Sequence, residues 1–574
     1  MPIQERRDFL AQLGGRPPAK QVPYDIQHDT LFLKYANKTA PLDLPKHRSG
    51  LSAYTGIWGE KQQMHLIRRL QFGVKPGEPA ALSALSMSQA VEAMLNTVPP
   101  VPAPPVNYYE NIYSDPTGVA LGSTWVNAAY GDGTVDYYRR LSVKAWWMEQ
   151  IAKQDFSIME KMILFWHNHF VTESNVVGDA RMFYRYLSLI RTHALGNFRD
   201  FLKAMTKEPM MLFYLNGHYN IKNSPDENYA RELQELFTVG KGPTMWTEAD
   251  VKEAAKVLTG FRVDINTLTT SFNPAFHETA NKTFSSFYGN TVIAGLTGAA
   301  GETELDALFD MIFSQDQILA KFICRKIYRF FVYYNIDTTV ENTIIDGLAQ
   351  TFIANNWEIK PVLAQLFKSE HFFDTLSMDC YIRTPLDYFM GAVRSLDITV
   401  DPAATLEDQY RAYYQLASLS SICGLDPGDP PNVAGWTAFY QSPQFHQMWI
   451  NSDTLPKRMK NTDALFTNYG IYVSSTYQIK CDVLSFVQTL SDPSDPVAIV
   501  NDCVKYLLAI GLSSSLKDSY RYLLLDASLL NSSWTTAWNN YIGSPGNATY
   551  AGIVRTRLQD MLTKLLRMAE YHLC

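Results

Sequence analysis

The feature that most constrains this fold is the helical spacing of apolar residues, which recurs along most of the 574-residue chain. Between residues 135 and 215 apolar side chains return every three or four positions, the period of a helix with one buried face. The spacing predicts consecutive helices at residues 137–151, 158–171, 180–194 and 198–207. Adjacent amphipathic helices bury their apolar faces against one another, so this stretch predicts helix-on-helix packing.

The same period continues towards the C-terminus, interrupted by an irregular segment at residues 261–300 that is rich in Thr, Asn and aromatic residues. Strand signals are short and scattered, without the strand–helix alternation of a parallel sheet and without a fixed repeat. The sequence therefore predicts an all-α fold, with a large multi-helix body and long irregular loops. Further helices are predicted at 248–258, 304–313, 317–334, 340–355, 359–368, 385–394, 406–422, 482–490, 496–510 and 556–573.

A proline-rich run at residues 98–106, VPPVPAPPV, indicates a division near the N-terminus because such a run favours an extended polyproline conformation. We expect an extended arm at 1–57 and a helical segment with this strap at 58–106. The main all-α body is expected at 107–460, and a C-terminal helical extension at 461–574.

Composition limits the classes of partner. The net charge is −7 and no long basic run occurs, which argues against binding of nucleic acid. The six cysteines form no C-x-x-C pair, so a disulfide framework or zinc ribbon is not expected. No stretch reaches about 18 uninterrupted apolar residues, so no transmembrane segment is predicted.

The N-terminal sequence ERRDFL at 5–10 is similar to part of a twin-arginine export signal. The polar and proline-containing GGRPPAK at 14–20 follows it where an apolar region would be needed. We therefore expect no complete signal peptide in this chain and take a cytoplasmic location as the default.

The densest group of polar residues is predicted on one helix, SPDENYARELQELFTVG at 224–240. Ser224 and Pro225 are typical of a helix start, and Gly240 is typical of a helix end. One face carries the apolar Tyr229, Leu233, Leu236 and Phe237. The opposite face carries the polar stripe Asn228, Arg231, Glu232 and Glu235. The stripe is either a functional site or a buried ionic network that fixes the packing of the helix.

Three histidines extend the first interpretation to a metal site. His167 and His169 lie at the end of a predicted helix, and His277 lies in the irregular segment. Imidazoles combined with Glu232 and Glu235 are ligands that a divalent metal takes, so such a metal is the candidate cofactor. In a continuous helix the first two histidines would point about 200° apart, so a shared metal requires the helix to end there.

Arg231 weakens the metal interpretation because a fixed cation beside the ligands would repel a metal ion. A metal-free site would use Glu235 or Glu232 as general base and His167 or His277 as acid. In a purely structural role the same groups would be satisfied by hydrogen bonds and arginine pairs. The chain contains no G-x-S-x-G element and no phosphate-binding loop to name a reaction.

A loop with the sequence PPNVAGW at 430–436 brings Trp436 close to other aromatic residues, including Trp449. Such a cluster is either a surface on which a carbohydrate or peptide ligand stacks, or a plug that anchors a rigid turn in the body.

Several separated motifs resemble those of the bacterial domain-of-unknown-function 1800 family, and the resemblance covers about residues 58–574. These are HLIRR at 65–69 with FG at 72–73, FWHNHF at 165–170, the helix at 224–240, TEADV at 247–251, LTGF at 258–261, HE at 277–278 before Lys282, KFI at 321–323, RFFV at 329–332, Pro385 and PPNVAGW. The family usually has His-Asp where this chain has His277-Glu278, and often Asn at the position of Asp226.

The resemblance implies no reaction, but family members often occur beside exported proteins of another uncharacterised family, which implies an envelope role and an exported partner encoded nearby. The sequence thus favours a hydrolase-like or metal-dependent enzyme with a His/Glu/Arg site. The alternative is a non-catalytic envelope-associated binding or scaffold protein that uses an aromatic-rich surface.

Overall fold

The computed structural model describes residues 49–574, all of which belong to one compact unit. Most of the arm predicted at 1–57, and the arginine pair within it, lie outside the described residues. The described chain is predominantly helical, which confirms the all-α prediction.

The α-helices are numbered in chain order. They are α1 Glu60–Leu70, α2 Glu78–Ser83, α3 Met87–Asn96, α4 Gly133–Lys153, α5 Met159–His169, α6 Ser174–Val177, α7 Ala180–His193, α8 Phe198–Thr206, α9 Pro209–Tyr214, α10 Asn228–Glu232, α11 Glu248–Val257, α12 Glu304–Phe313, α13 Asp316–Phe331, α14 Thr338–Val340, α15 Asp346–Ala354, α16 Ile359–Phe367, α17 Pro385–Ser395, α18 Leu406–Ser421, α19 Thr454–Ala464, α20 Val483–Gln488, α21 Pro496–Leu507, α22 Ser514–Leu524, α23 Asn531–Gly543 and α24 Ala548–Leu566. Two π-helical turns, Leu233–Thr238 and Glu341–Ile345, continue α10 and α14.

The strands within the described residues form small antiparallel pairs. They are β1 Phe261–Asp264 with β2 Thr269–Phe272, β3 Lys282–Thr283 with β4 Val292–Ile293, and β5 Ile471–Tyr472 with β6 Gln478–Ile479. The first two pairs lie in the segment predicted to be irregular, where short strands and 3-10 turns replace the helical period.

Local sequence explains where several helices begin. The Asp132 carboxylate accepts from the first backbone N–H groups of α4, and the Asn197 side chain does the same for α8. Thr247 and Asp250 form a reciprocal capping box at the start of α11. Between the helices, the ring of Trp166 packs against Phe170, Phe198 and Phe201 in the buried core.

The C-terminal residues are hydrogen bonded to the middle of the chain. Cys574 and Tyr381 exchange both backbone hydrogen bonds, and Arg383 donates to the carbonyl oxygens of Leu507 and Leu573. The boundary predicted at residue 460 stays a prediction, and these contacts join the two sides of it closely.

A buried ionic network holds the irregular segment against α12. The Glu304 carboxylate accepts from Lys282 Nζ at 2.5 Å and from the backbone N–H of Leu296 at 2.6 Å, and lies 3.1 Å from His277 Nε2. The other ring nitrogen of His277 lies 2.9 Å from the carbonyl oxygen of Thr259. His277 therefore belongs to a network that fixes this segment.

We expect Glu304→Gln to lower the free energy of unfolding by about 3–5 kcal/mol, because it leaves the ammonium of Lys282 buried without a counter-charge. Glu302→Gln is the matched control, since Glu302 pairs with Lys207 while its side chain stays 44% exposed, and such a pair contributes at most about 1 kcal/mol. Denaturant unfolding followed by tryptophan fluorescence measures both. Equal losses in the two variants would contradict a structural role for this network.

Candidate functional site

A cavity of about 200 Å³ opens where the end of α5, the π-helical turn Leu233–Thr238, α13 and the loop after residue 430 meet. Its polar lining comes from Asn168, His169, Glu235, Arg325, Lys326 and Arg329. Its aromatic walls come from Phe165, Phe322, Phe330, Phe439 and Tyr440. We call this cavity the cationic pocket. Five of the motifs used in the sequence comparison contribute to it.

Helix α5 ends at His169, two residues earlier than predicted and as a shared metal would require, but its two histidines face different surroundings. His167 is buried between Trp147 and Trp436, with Nδ1 2.9 Å from the hydroxyl of Tyr186. Burial lowers the pKa of His167 to about 3, so its ring is neutral. His169 instead lines the cationic pocket. The two imidazoles therefore point to different places and do not converge on a shared metal ion.

The helix predicted at 224–240 begins later than expected. Asp226 donates its backbone N–H to the side-chain oxygen of Asn220, and its own carboxylate accepts from the N–H of Asn228. These bonds make a turn before the helix, so Ser224 is not its N-cap and α10 starts at Asn228. Gly240, with φ 82°, ends the helix as predicted.

The polar stripe does not act as one unit. Asn228 is exposed at the helix start, and Arg231 forms surface ion pairs with Glu248 and Glu227. The prediction of a buried network is therefore wrong for Arg231. Glu232 is half-buried, and burial followed by the charge of Glu235 raises its pKa to about 7. Of the four predicted catalytic residues, Glu235 is the one that lines the cationic pocket.

Lys326 is the buried cation of the pocket lining, and it was not among the site residues predicted from the sequence. Its ammonium donates to Nδ1 of His169 at 3.0 Å and to the carbonyl oxygen of Leu236 at 2.8 Å. Within residues 49–574 no carboxylate forms an ion pair with it. Burial, and then the charge of Arg329, lowers the pKa of Lys326 to about 7. Because the ammonium donates to Nδ1, the imidazole of His169 is neutral and carries its proton on Nε2.

The carbonyl of Leu236 is available because the helix ends there. In an α-helix the backbone N–H of Gly240 would donate to this oxygen. Here it donates to the carbonyl oxygen of Gln234 instead. A cation at the C-terminal end of a helix is also stabilised by the helix dipole. The π-helical turn thus creates the acceptor that positions Lys326, in line with the frequent use of such turns at functional sites.

Two guanidinium groups flank Lys326 on α13. Arg325 donates to both oxygens of Glu341, which holds it in place. Arg329 donates its Nε to the carbonyl oxygen of Tyr334 at 3.3 Å, and its guanidinium lies over the ring of Phe445. Its terminal NH groups make no hydrogen bond within the described residues. The three cations grouped at 325, 326 and 329, near the end of α13, were the sequence signal for this site.

The loop at 430–436 is fixed by Asn168, whose side-chain oxygen accepts from the backbone N–H of Trp436 at 2.9 Å. Trp436 is 1% exposed and Trp449 is 4% exposed. The prediction that these two tryptophans form a stacking surface for a carbohydrate or peptide is therefore wrong, because neither ring reaches solvent. They are plugs, and Ala434, Phe439 and Tyr440 are the residues of this region that line the pocket.

The residues present do not fit the divalent metal suggested by the sequence. Within residues 49–574 no group of three or more His, Cys, Asp and Glu side chains is arranged to hold a metal ion. His167 is directed at Tyr186, His169 accepts from Lys326, and His277 lies in the network with Glu304.

The fold and the pocket define an all-α protein with a cationic, aromatic-walled cavity built from distant motifs. A family model described as "Protein of unknown function (DUF1800)" matches residues 65–571, and the chain belongs to this family. No curated protein and no solved structure matches the chain. Among the helices of the described residues, none has the length and apolar character needed to cross a membrane.

We expect Gly435→Ala to destabilise the protein by at least about 1–3 kcal/mol, the cost of a strained backbone position. Gly435 has φ 94°, and a Cβ there would lie 2.3 Å from the side-chain oxygen of Asn168. Gly546→Ala is the control, because a Cβ at that position meets no atom within 4 Å. Unfolding in denaturant measures both, and a Gly435 variant as stable as the control would contradict this account of the loop.

Proposed function

We propose that this chain is an enzyme that binds a small anionic molecule with an apolar body in the cationic pocket and acts on it by acid–base chemistry at Lys326. The observation that carries the proposal is the ammonium of Lys326, which lies in the cavity wall without a carboxylate partner among residues 49–574. A partly desolvated charge is costly unless it is paired, so a ligand anion would supply the missing counter-charge.

The charges of the lining favour an anion. Three cations and one carboxylate, Glu235, line the cavity, and Arg325 is already occupied by Glu341. Lys326 retains one N–H without an acceptor in the described part of the chain, and Arg329 retains its terminal NH groups. Charge-assisted hydrogen bonds from these donors to a carboxylate or phosphate would be short and strong.

The aromatic walls favour an apolar body on the ligand. The rings of Phe165, Phe322, Phe330 and Phe439 present apolar surface to the cavity. Burying apolar ligand surface against such walls contributes binding free energy, while the few cations fix the orientation of the ligand.

Lys326 also has the properties of an acid–base group. With a pKa near 7, both its ammonium and its amine are populated at neutral pH, which is the condition for efficient proton transfer. His169 and the carbonyl of Leu236 hold Nζ in one position, so its free N–H would be directed at a bound molecule. The binding or scaffold alternative relies on an aromatic-rich surface, and the burial of Trp436 and Trp449 removes two of the rings that would form it.

We predict that 3-phenylpropanoate, a carboxylate with an apolar body, binds with proton uptake at pH 8. The bound carboxylate would raise the pKa of Lys326, so the amine form takes up a proton on binding. Above the pKa the apparent affinity would then fall about tenfold for each pH unit, because only the ammonium form binds. Calorimetry in buffers of different ionisation enthalpy measures both quantities.

Lys326→Met should weaken this binding by about 10- to 150-fold, the equivalent of losing one hydrogen bond to a charged group, and should abolish the proton uptake. Lys564→Met is the control, because Lys564 pairs with Asp560 on an exposed face outside the pocket. Equal binding by both variants, or binding without proton uptake in the wild-type chain, would contradict the proposed function.

A further inference from the structure

The carboxylate of Glu235 is an unexpected component of a pocket whose other charges are cationic. Its ion-pair partner is Lys241, at 3.1 Å, whose side chain is 63% exposed. Exposed pairs of this kind are weak, so Glu235 can exchange Lys241 for another cation at little cost. The carboxylate is 25% exposed and already faces the cavity.

A second acidic group lies one helical turn earlier. The side chain of Glu232 makes no hydrogen bond within the described residues, and it is close enough to Glu235 for their like charges to interact. The two carboxylates therefore repel each other on one helix face, with Arg231 turned towards Glu248 and Glu227. A ligand cation at Glu235 would relieve this repulsion.

The acidic and cationic parts of the pocket adjoin each other. Glu235 precedes Leu236, the residue whose carbonyl oxygen accepts from Lys326. Glu235 and Lys326 both line the cavity, which therefore offers a carboxylate as well as cations to one ligand. A ligand that carries a positive and a negative group next to an apolar side chain is complementary to this combination.

We propose that the ligand is an α-amino acid with an apolar or aromatic side chain. Its carboxylate would bind Lys326 and Arg329, its ammonium would bind Glu235, and its side chain would lie against the aromatic walls. This inference rests on the proposed function, since it names the class of anion that the cationic pocket selects. It also assigns Glu235 as the residue that distinguishes an amino acid from a simple carboxylate.

The test compares L-phenylalanine with 3-phenylpropanoate, which has the same ring and carboxylate but no amine. We expect calorimetry at pH 7 to show phenylalanine binding at least tenfold more tightly to the wild-type chain. In Glu235→Gln this preference should disappear, while 3-phenylpropanoate binds as tightly as before or more tightly, because a repelling carboxylate has been removed. Retained binding of 3-phenylpropanoate also shows that the variant is folded.

Glu407→Gln is the matched control, since Glu407 is similarly exposed, pairs with Arg411 and does not line the pocket. It should keep the preference for phenylalanine. If 3-phenylpropanoate binds the wild-type chain and phenylalanine binds no more tightly, the amino-acid inference fails and the proposed function stands. A preference that persists in Glu235→Gln also overturns the inference. If neither compound binds, the proposed function itself fails.

Discussion

The hydrogen bond from the Lys326 ammonium to the carbonyl oxygen of Leu236 is the interaction on which the pocket depends. It joins α13 to the end of the helix that carries Glu235, and the same ammonium joins both to His169 at the end of α5. Without the π-helical turn, the Leu236 carbonyl would be used inside its own helix. These neutral acceptors offset only part of the free energy needed to desolvate the Lys326 ammonium. An anion bound beside it would stabilise the charge further.

The family motifs acquire separate physical roles in this structure. Arg69 donates to the carbonyl oxygens of Phe330 and Phe331, which ties the first motif to the end of α13. Asn168 holds the loop that ends at Trp436. His277 serves the network around Glu304. The motifs therefore include both the walls of the pocket and the contacts that hold those walls in place.

Much of the fold could be predicted from the sequence, because helical period, caps and stops are local properties. The Thr247 capping box and the Gly240 stop are examples. The late start of α10 could not be predicted, since it depends on the side chain of Asn220 taking the backbone N–H of Asp226. The partners of His277 and Lys326 lie 27 and 157 positions away, at Glu304 and His169, and no local pattern indicates such pairs.

The candidate site was found only in part for the same reason. Glu235 and His169 were identified as polar residues in a helical pattern, but their grouping with Lys326 comes from packing between helices. The polar stripe suggested that Arg231 is the cation of the site. In the structure Arg231 pairs with Glu248, and Lys326 of α13 is the buried cation in the pocket. Sequence reasoning thus identified two contributing elements of the pocket and missed its central charge.

The proposed function depends on Lys326 being a desolvated cation that lacks a counter-charge among residues 49–574. The most direct measurement is the pH titration of its Nζ chemical shift in 15N-lysine-labelled protein, assigned by the signal that disappears in Lys326→Met. The account predicts a midpoint near pH 7, because burial and Arg329 both disfavour the charged form. A midpoint near the ordinary lysine value of about 10.4 would contradict it.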